Sequence, residues 1–368
     1  MRNVALGGVV FLTSLVVTGW IALAWILTPC FLLVVLPLPK FLQIKRFYRC
    51  TTRFIQWAWM GHVVLLLETL FGIQVRVYGN AETKAHEHIM AQDRAIWLSN
   101  HRTRIDWMLL WTLAWRTRTL HQLRIVLKAP LRNIPIFGWA MQHFVFIFLE
   151  RRWAEDQMKL RKLLPYLTAT EPKASYLLFP EGTDLSESNL EKSRSFADKN
   201  GLPPRQFSLY PRTRGWTFVF PLLRSQLTAV YDITMFYVDY AANERPSELS
   251  LLTGRVPRII CFYVERVDIT TMREKSENEL EVWMEKRFER KELLLKTFYE
   301  SNGKLPNGAE PLFQEGQGPV IAALVLICII TAYGSGVDGY LIKNFTVVFN
   351  VIRNQHIKYV EVLTVANR

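Results

Sequence analysis

From Val4 to Leu38 apolar residues dominate and no charge appears, a run longer than the roughly 20 residues one helix needs to cross a bilayer. Pro29 interrupts it. Two expectations follow: one long helix ending near Leu27 and continuing as an interfacial piece, or a re-entrant pair of helices broken around Thr28 and Pro29. The run exceeds a signal-peptide core, and no small-x-small cleavage site follows it, so removal as a leader is not expected. Phe54 to Ile73 is a second apolar stretch with Trp57, Trp59 and Phe71 near its ends, where amphipathic rings suit a membrane interface. His62 and Glu68 within it make packing at the interface as good a reading as a span. Pro319–Tyr333 and Val337–Val351 are further candidates, the latter holding the sequon at Asn344.

Between these ends, short apolar runs alternate with longer amphipathic ones, the pattern of strands connected by helices in a largely parallel sheet. Strands are expected at Ala95–Ser99, Val145–Leu149, Tyr176–Phe179, Tyr231–Val238 and Ile259–Val264, and helices at Asp106–Trp115, Glu155–Leu167 and Glu277–Glu300. Ser276 and Glu279 stand at capping-box spacing at the start of the last helix. The fold class expected is therefore α/β, a mostly parallel sheet flanked by helices, with N-terminal and C-terminal membrane helices. Its division would be residues 1–75 as anchoring helices, 76–312 as the catalytic domain and 313–368 as a hydrophobic membrane-associated segment.

Composition sharpens this outline. Half of the 368 residues are hydrophobic, and the excess lies at the two ends, leaving the middle with ordinary soluble composition and room for one large domain. The formal charge of +13 calls for an anionic partner, and the apolar ends favour a phospholipid bilayer over nucleic acid. Lys40, Lys45, Arg46, Arg49 and Arg53 follow the first apolar run as a cytoplasmic flank would. Cys30, Cys50, Cys261 and Cys328 have neither paired nor metal-ligand spacing, so free thiols are expected.

Two places could carry chemistry. Strand Ala95–Ser99 runs into Asn100-His101-Arg102-Thr103-Arg104-Ile105-Asp106-Trp107, which puts a histidine at the carboxyl end of a strand, where α/β sheets bind ligands. On one ideal helix Asp106 would point about 140° away from His101, so the two can meet only if the histidine lies on the preceding turn. An aspartate holding one imidazole proton would leave the other nitrogen free to take a proton from an alcohol. No Gly-x-Ser-x-Gly elbow offers a protein nucleophile. The second place is Phe179-Pro180-Glu181-Gly182-Thr183, after another strand, where Gly182 permits close backbone approach and Glu181 could bond a hydroxyl.

In that order, and about seventy residues apart, NHRTRIDW and FPEGT resemble the motifs of the glycerolipid acyltransferase family. Phe148-Leu149-Glu150-Arg151 and Leu209-Tyr210-Pro211-Arg212 resemble its second and fourth blocks. The resemblance implies that His101 is the general base, that Asp106 orients it, and that Arg151, Glu181 and Gly182 contact the glycerol-phosphate region of an acyl acceptor, with Thr183 beside them. It implies acyl-CoA and a lysophospholipid as substrates, no separate cofactor or metal, and residence in the endoplasmic reticulum. Asp184 stands where many members that acylate lysophosphatidic acid carry arginine. With LKAPL, PIFGWAMQ and PRTRGW, it makes the chain similar to the lysocardiolipin and lysophosphatidylinositol branch, whose acceptors are phosphodiesters. Lys128 in LKAPL is a further candidate for phosphate binding. A 1-acylglycerol-3-phosphate acyltransferase, a CoA-independent transacylase and a non-catalytic lipid-binding scaffold are the competing readings. His121, His143 and the tryptophans at 107, 111 and 115 have no partners at informative spacing, and packing roles are expected for them.

Overall fold

The computed structural model describes residues 2–35, 41–171, 173–238, 240, 245–301 and 303–313, with the side chains of 2–6 and 25–47 left aside. Compactness divides the chain into Met1–Ala322 and Ala323–Arg368. The second unit lies outside the described residues, as do both C-terminal span candidates, Asn344 and Cys328.

Among the described residues, eight strands form one mixed, mostly parallel sheet in the order β4-β3-β5-β2-β6-β7-β1-β8. They are β1 (Gln74–Gly79), β2 (Ala95–Ser99), β3 (Leu123–Lys128), β4 (Ile147–Leu149), β5 (Ser175–Leu178), β6 (Ala229–Tyr237), β7 (Ile259–Asp268) and β8 (Glu310–Leu312). β6 pairs antiparallel with β7, and β8 antiparallel with β1; every other pairing is parallel.

Helices cover both faces. α1 (Arg2–Val35), α2 (Phe41–Thr69), α4 (Asp106–Arg116) and α5 (Phe137–His143) lie on one side; α6 (Trp153–Thr170), α8 (Thr213–Leu223) and α10 (Glu277–Glu300) lie on the other. α3 (Ala81–Ala85), α7 (Glu187–Lys199) and α9 (Glu248–Leu252) are shorter or peripheral. β2 shows why both faces must be covered, since Ala95 and Trp97 join the first core and Ile96 and Leu98 the second. Side chains alternate along a strand, so an all-apolar strand needs two apolar partners.

α10 buries Leu280, Met284 and Phe288 at four-residue spacing, a stripe on one helix face. Truncating any of these to alanine would cost about 2–5 kcal/mol. Its start is fixed by the capping box: Glu279 N–H bonds Ser276 Oγ, and Ser276 N–H bonds Glu279 at 2.8 Å.

Several expectations are corrected in detail. α1 passes Pro29 and runs on to Val35 rather than ending near Leu27. Among the described residues one segment, Gly7–Ala24, is long and apolar enough to cross a membrane. α2 packs as an amphipathic helix: Met60, Val63, Val64 and Leu67 are buried, and His62 Nε2 meets Ser14 Oγ at 2.7 Å. The strand expected from Val145 starts at Ile147, because Val145 sits at φ 58° in a turn. Cys50 and Cys261 are free thiols.

Candidate active site

The carboxyl ends of β2, β3, β4 and β5 carry the candidate site residues: His101 and Asp106 after β2, Lys128 at the end of β3, Arg151 after β4, and Glu181, Gly182 and Thr183 after β5. Lys291, reaching up from α10, donates to Ile233 O at 2.6 Å and Leu98 O at 3.4 Å and pairs with Asp232. It caps strand carbonyls where β2 ends beside the middle of β6. Asn100 continues the clamp, its amide group exchanging two hydrogen bonds with the Met235 backbone at 2.8 and 3.2 Å. Beyond this clamp the chain leaves the sheet and turns through Thr103 and Arg104 before α4 begins at Asp106.

That turn puts His101 ahead of the helix. Its Nδ1 lies 3.0 Å from Asp106 Oδ2. A carboxylate only accepts, so Nδ1 carries the proton and Nε2 keeps its lone pair. Among the described residues Nε2 makes no hydrogen bond, and the ring is 14% exposed. Asp106 is fully buried and bound by three further donors: Thr103 N–H and Thr103 Oγ1, each at 2.8 Å, and the Tyr237 hydroxyl. Charge-assisted bonds of this kind fix a carboxylate's rotamer. Phe179 stacks on the other side of the imidazole, ring centroids 4.3 Å apart.

Glu181 is 2% exposed. Its two oxygens accept from His101 N–H at 2.7 Å and Leu209 N–H at 2.9 Å, tying three loops together by their backbones. Burial pushes its carboxyl up to about 8, against the two amides, which favour the ionised form. Gly182 adopts φ +72°, where a side chain would be strained, and an added Cβ would also press on Arg212 at 3.1 Å. Its carbonyl accepts from Arg151 Nη2. Arg151 itself holds φ 63°, a costly conformation for a non-glycine residue that points to a demand on its side chain. Thr183 Oγ1 accepts from Asn189 at 3.0 Å and is turned toward Asp184.

Beside the histidine stands a group of cations. Burial and then neighbouring positive charge lower Lys128, chiefly Arg151, and lower Arg151, chiefly Arg212. Asp184 opposes both shifts and lies 3.9 Å from Arg104 Nε. Such a cluster suits an anionic substrate group whose charge would relieve the mutual repulsion.

Residues 75–219 match the acyltransferase family, and residues 250–328 match the family described as acyltransferase C-terminus. The chain is 38% identical over 268 residues to lysocardiolipin acyltransferase 1 of Mus musculus, covering 72% of this chain and 68% of that protein. This chain belongs to the acyltransferase family. Lysophosphatidylinositol acyltransferase 10 of Caenorhabditis elegans is 36% identical over 246 residues, 66% of this chain and 60% of its own length. 1-Acyl-sn-glycerol-3-phosphate acyltransferase delta of Rattus norvegicus is 29% identical over 255 residues, 69% and 65% of the two chains. The acyltransferase therefore falls in the lysophospholipid and 1-acylglycerol-3-phosphate branch of the family.

Three contributors to the acyltransferase's site were missed from the sequence. Tyr237 lies on an expected strand, but nothing in a linear pattern pairs position 237 with 106. Thr103 sits within the histidine motif and was passed over, although a threonine three residues before an aspartate at a helix start is a readable local signal. The Leu209 amide has no side-chain signature at all. Trp111 packs on Trp107 and Trp59, and Trp115 stacks on Trp57, as their expected packing roles require.

Proposed function

We propose that this acyltransferase transfers a fatty acyl group from acyl-CoA to the free hydroxyl of a lysophospholipid. The observation that carries it is the pairing of His101 Nδ1 with Asp106 beside an open Nε2 and a cluster of cations. Nε2 takes the proton of the acceptor hydroxyl as its oxygen attacks the thioester carbonyl carbon. The C–S bond of the tetrahedral intermediate then breaks, and the imidazolium returns the proton to the departing thiolate. Asp106 stabilises the imidazolium and holds its tautomer. Glu181 and Gly182 act through backbone and shape: the Glu181 carboxyl group, occupied by two amides, fixes the His101 loop rather than touching the acceptor's glycerol-phosphate region. Arg151 and Lys128 bind the acceptor's phosphate, with Thr183 at their edge.

Asp184 favours a phosphodiester acceptor. It lowers the positive potential that Lys128, Arg151 and Arg104 would otherwise present, and a singly charged phosphate needs less of it than a doubly charged monoester. Lysophosphatidylinositol, lysocardiolipin and lysophosphatidylglycerol are the acceptors of this class. α1 presents Val9, Val10, Leu12, Val17 and Trp20 to the surroundings, Trp20 at 52% exposure, and a bilayer is the medium that such a face requires. We place residues 1–75 at the membrane, 76–312 as the catalytic domain and 313–368 as a second membrane-associated segment, in the endoplasmic reticulum on the family resemblance.

The test is product analysis by mass spectrometry across lysophospholipid head groups, with labelled acyl-CoA and, separately, with labelled phospholipid as donor. Product from acyl-CoA with phosphodiester acceptors is expected. A sharp preference for lysophosphatidic acid would overturn the reading of Asp184, transfer from phospholipid alone would make the enzyme a transacylase, and lysolipid binding without product would leave a scaffold.

A further inference from the structure

The opposite, amino-terminal edge of the sheet carries a second concentration of positive charge. Arg49 and Arg53 from α2 and Arg124 from β3 converge on one carboxylate, Glu171, which closes α6. Arg49 Nη1 donates to Oε1 at 2.6 Å, and Arg53 Nε and Arg124 Nη2 donate to Oε2 at 2.9 and 3.1 Å. Among the described residues these three guanidiniums thus share a single negative partner, a net excess of two charges. They border a cavity of about 240 Å³ whose wall also carries Tyr48, Thr52, Gln142 and His143.

Arg124 is the informative member. It is 2% exposed, and its Nη1 is satisfied by Gln56 Oε1 at 3.0 Å and by the carbonyls of His121 and Leu123. Its Nε is buried with no hydrogen-bond partner among the described residues. A buried donor on a cation is costly when left unpaired. Burial followed by the fields of Arg124 and Arg53 also drives the neighbouring His121 down to about 4, consistent with uncompensated positive charge at this end.

A roomy polar cavity bordered by three guanidiniums with two charges in excess matches a tetrahedral oxyanion, which guanidinium forks bind through paired donors. We propose that this cavity is a phosphate-binding site distinct from the acyl-transfer centre. Four residues of extended strand, about 13 Å, separate Arg124 from Lys128 at the other end of β3. The ligand is the phosphate of a monoester or diester, either a soluble compound or a lipid head group reached along α2, which packs against the apolar α1. The proposal stands whatever role His101 has.

The experiment uses the full chain in detergent micelles and titrates inorganic phosphate by calorimetry. Saturable binding is expected in the native chain and in Arg151→Gln, and weakening by about tenfold or more in Arg49→Gln/Arg53→Gln. Acyl transfer by that double variant should be retained. If it does not fold by circular dichroism, Arg53→Gln alone, at the rim of the cavity, is read in the same way. A second arm floats the proteins on phosphatidylcholine vesicles carrying phosphatidylglycerol or an equal charge of oleate. Loss of a preference for phosphatidylglycerol in the double variant assigns the site to a head group; loss of inorganic phosphate binding alone assigns it to a soluble ligand. Phosphate binding abolished by Arg151→Gln but kept by the double variant would overturn the proposal. So would the absence, in the native chain, of both phosphate binding and a phosphatidylglycerol preference, or their persistence unchanged in the variants.

Discussion

The two ends of the parallel strands use buried charge in opposite ways. At the carboxyl end Asp106 is saturated with donors so that one imidazole nitrogen, Nε2, is left open. At the amino end one carboxylate is shared among three guanidiniums, and the surplus is positive. The first arrangement fixes the imidazole geometry on which the proposed proton transfer rests, whereas the second ties α2, β3 and α6 into one piece. Burial supplies the strength in both, because charges removed from water interact over a lower dielectric. What differs is which group is left unsatisfied: a base at one end and a donor at the other.

If that distinction is right, substitutions at the carboxyl edge lower turnover while the molecule stays folded. His101→Ala should lower the acyl-transfer rate by about a thousandfold or more with unchanged circular dichroism. Near-normal turnover would end the proposed mechanism. At the amino edge the same severity should fall on stability. Glu171→Ala leaves the buried Arg124 guanidinium without its carboxylate and should cost about 3–5 kcal/mol in denaturant unfolding, with turnover per folded molecule preserved; a loss of turnover without destabilisation would erase the contrast between the edges. Tyr237→Phe, which removes one donor from Asp106 and nothing from the substrate, should lower kcat by about tenfold with KM nearly unchanged. An unchanged kcat would show that the other three donors suffice.

The edges should also respond oppositely to pH. Glu181 has a folded pKa raised to about 8, so its contribution to stability is present below the ordinary carboxylate range and fades as pH rises toward 8. His121 has a folded pKa lowered to about 4, so its contribution is present above 6.5 and is lost as pH falls through 4. Thermal unfolding of the native chain should therefore weaken in both directions, and His121→Gln should relieve the acid limb alone. Identical profiles for the two proteins would sink this assignment. The smallest effect expected is at Lys128, a mostly exposed member of the cation cluster. Lys128→Ala should raise KM for the lysophospholipid a few-fold and leave kcat nearly unchanged.

Much of this was legible in the chain. β2, α4 and α10 fall where apolar periodicity and capping signals put them, and α10 matches Glu277–Glu300 residue for residue. β1 was overlooked although its alternation of Val75 and Val77 with polar neighbours is a strand signal. β3 was overlooked for a better reason, since Arg124 breaks its apolar pattern and is buried only because Glu171 and Gln56 meet it there.

By itself, the sequence determined the elements that depend on neighbours in the chain: the apolar N-terminal helix, the alternation of strands and helices, and the two short motifs at strand ends. The tertiary structure decided which groups those motifs finally meet. Glu181 became a backbone anchor, Tyr237 became a partner of Asp106 from 131 residues away, His143 came to line a charged cavity, and His121 came to lie beside the Arg124 guanidinium that borders it. The reason is physical: periodicity and capping are local, whereas the desolvation that gives a buried charge its effect depends on whatever distant segment closes over it.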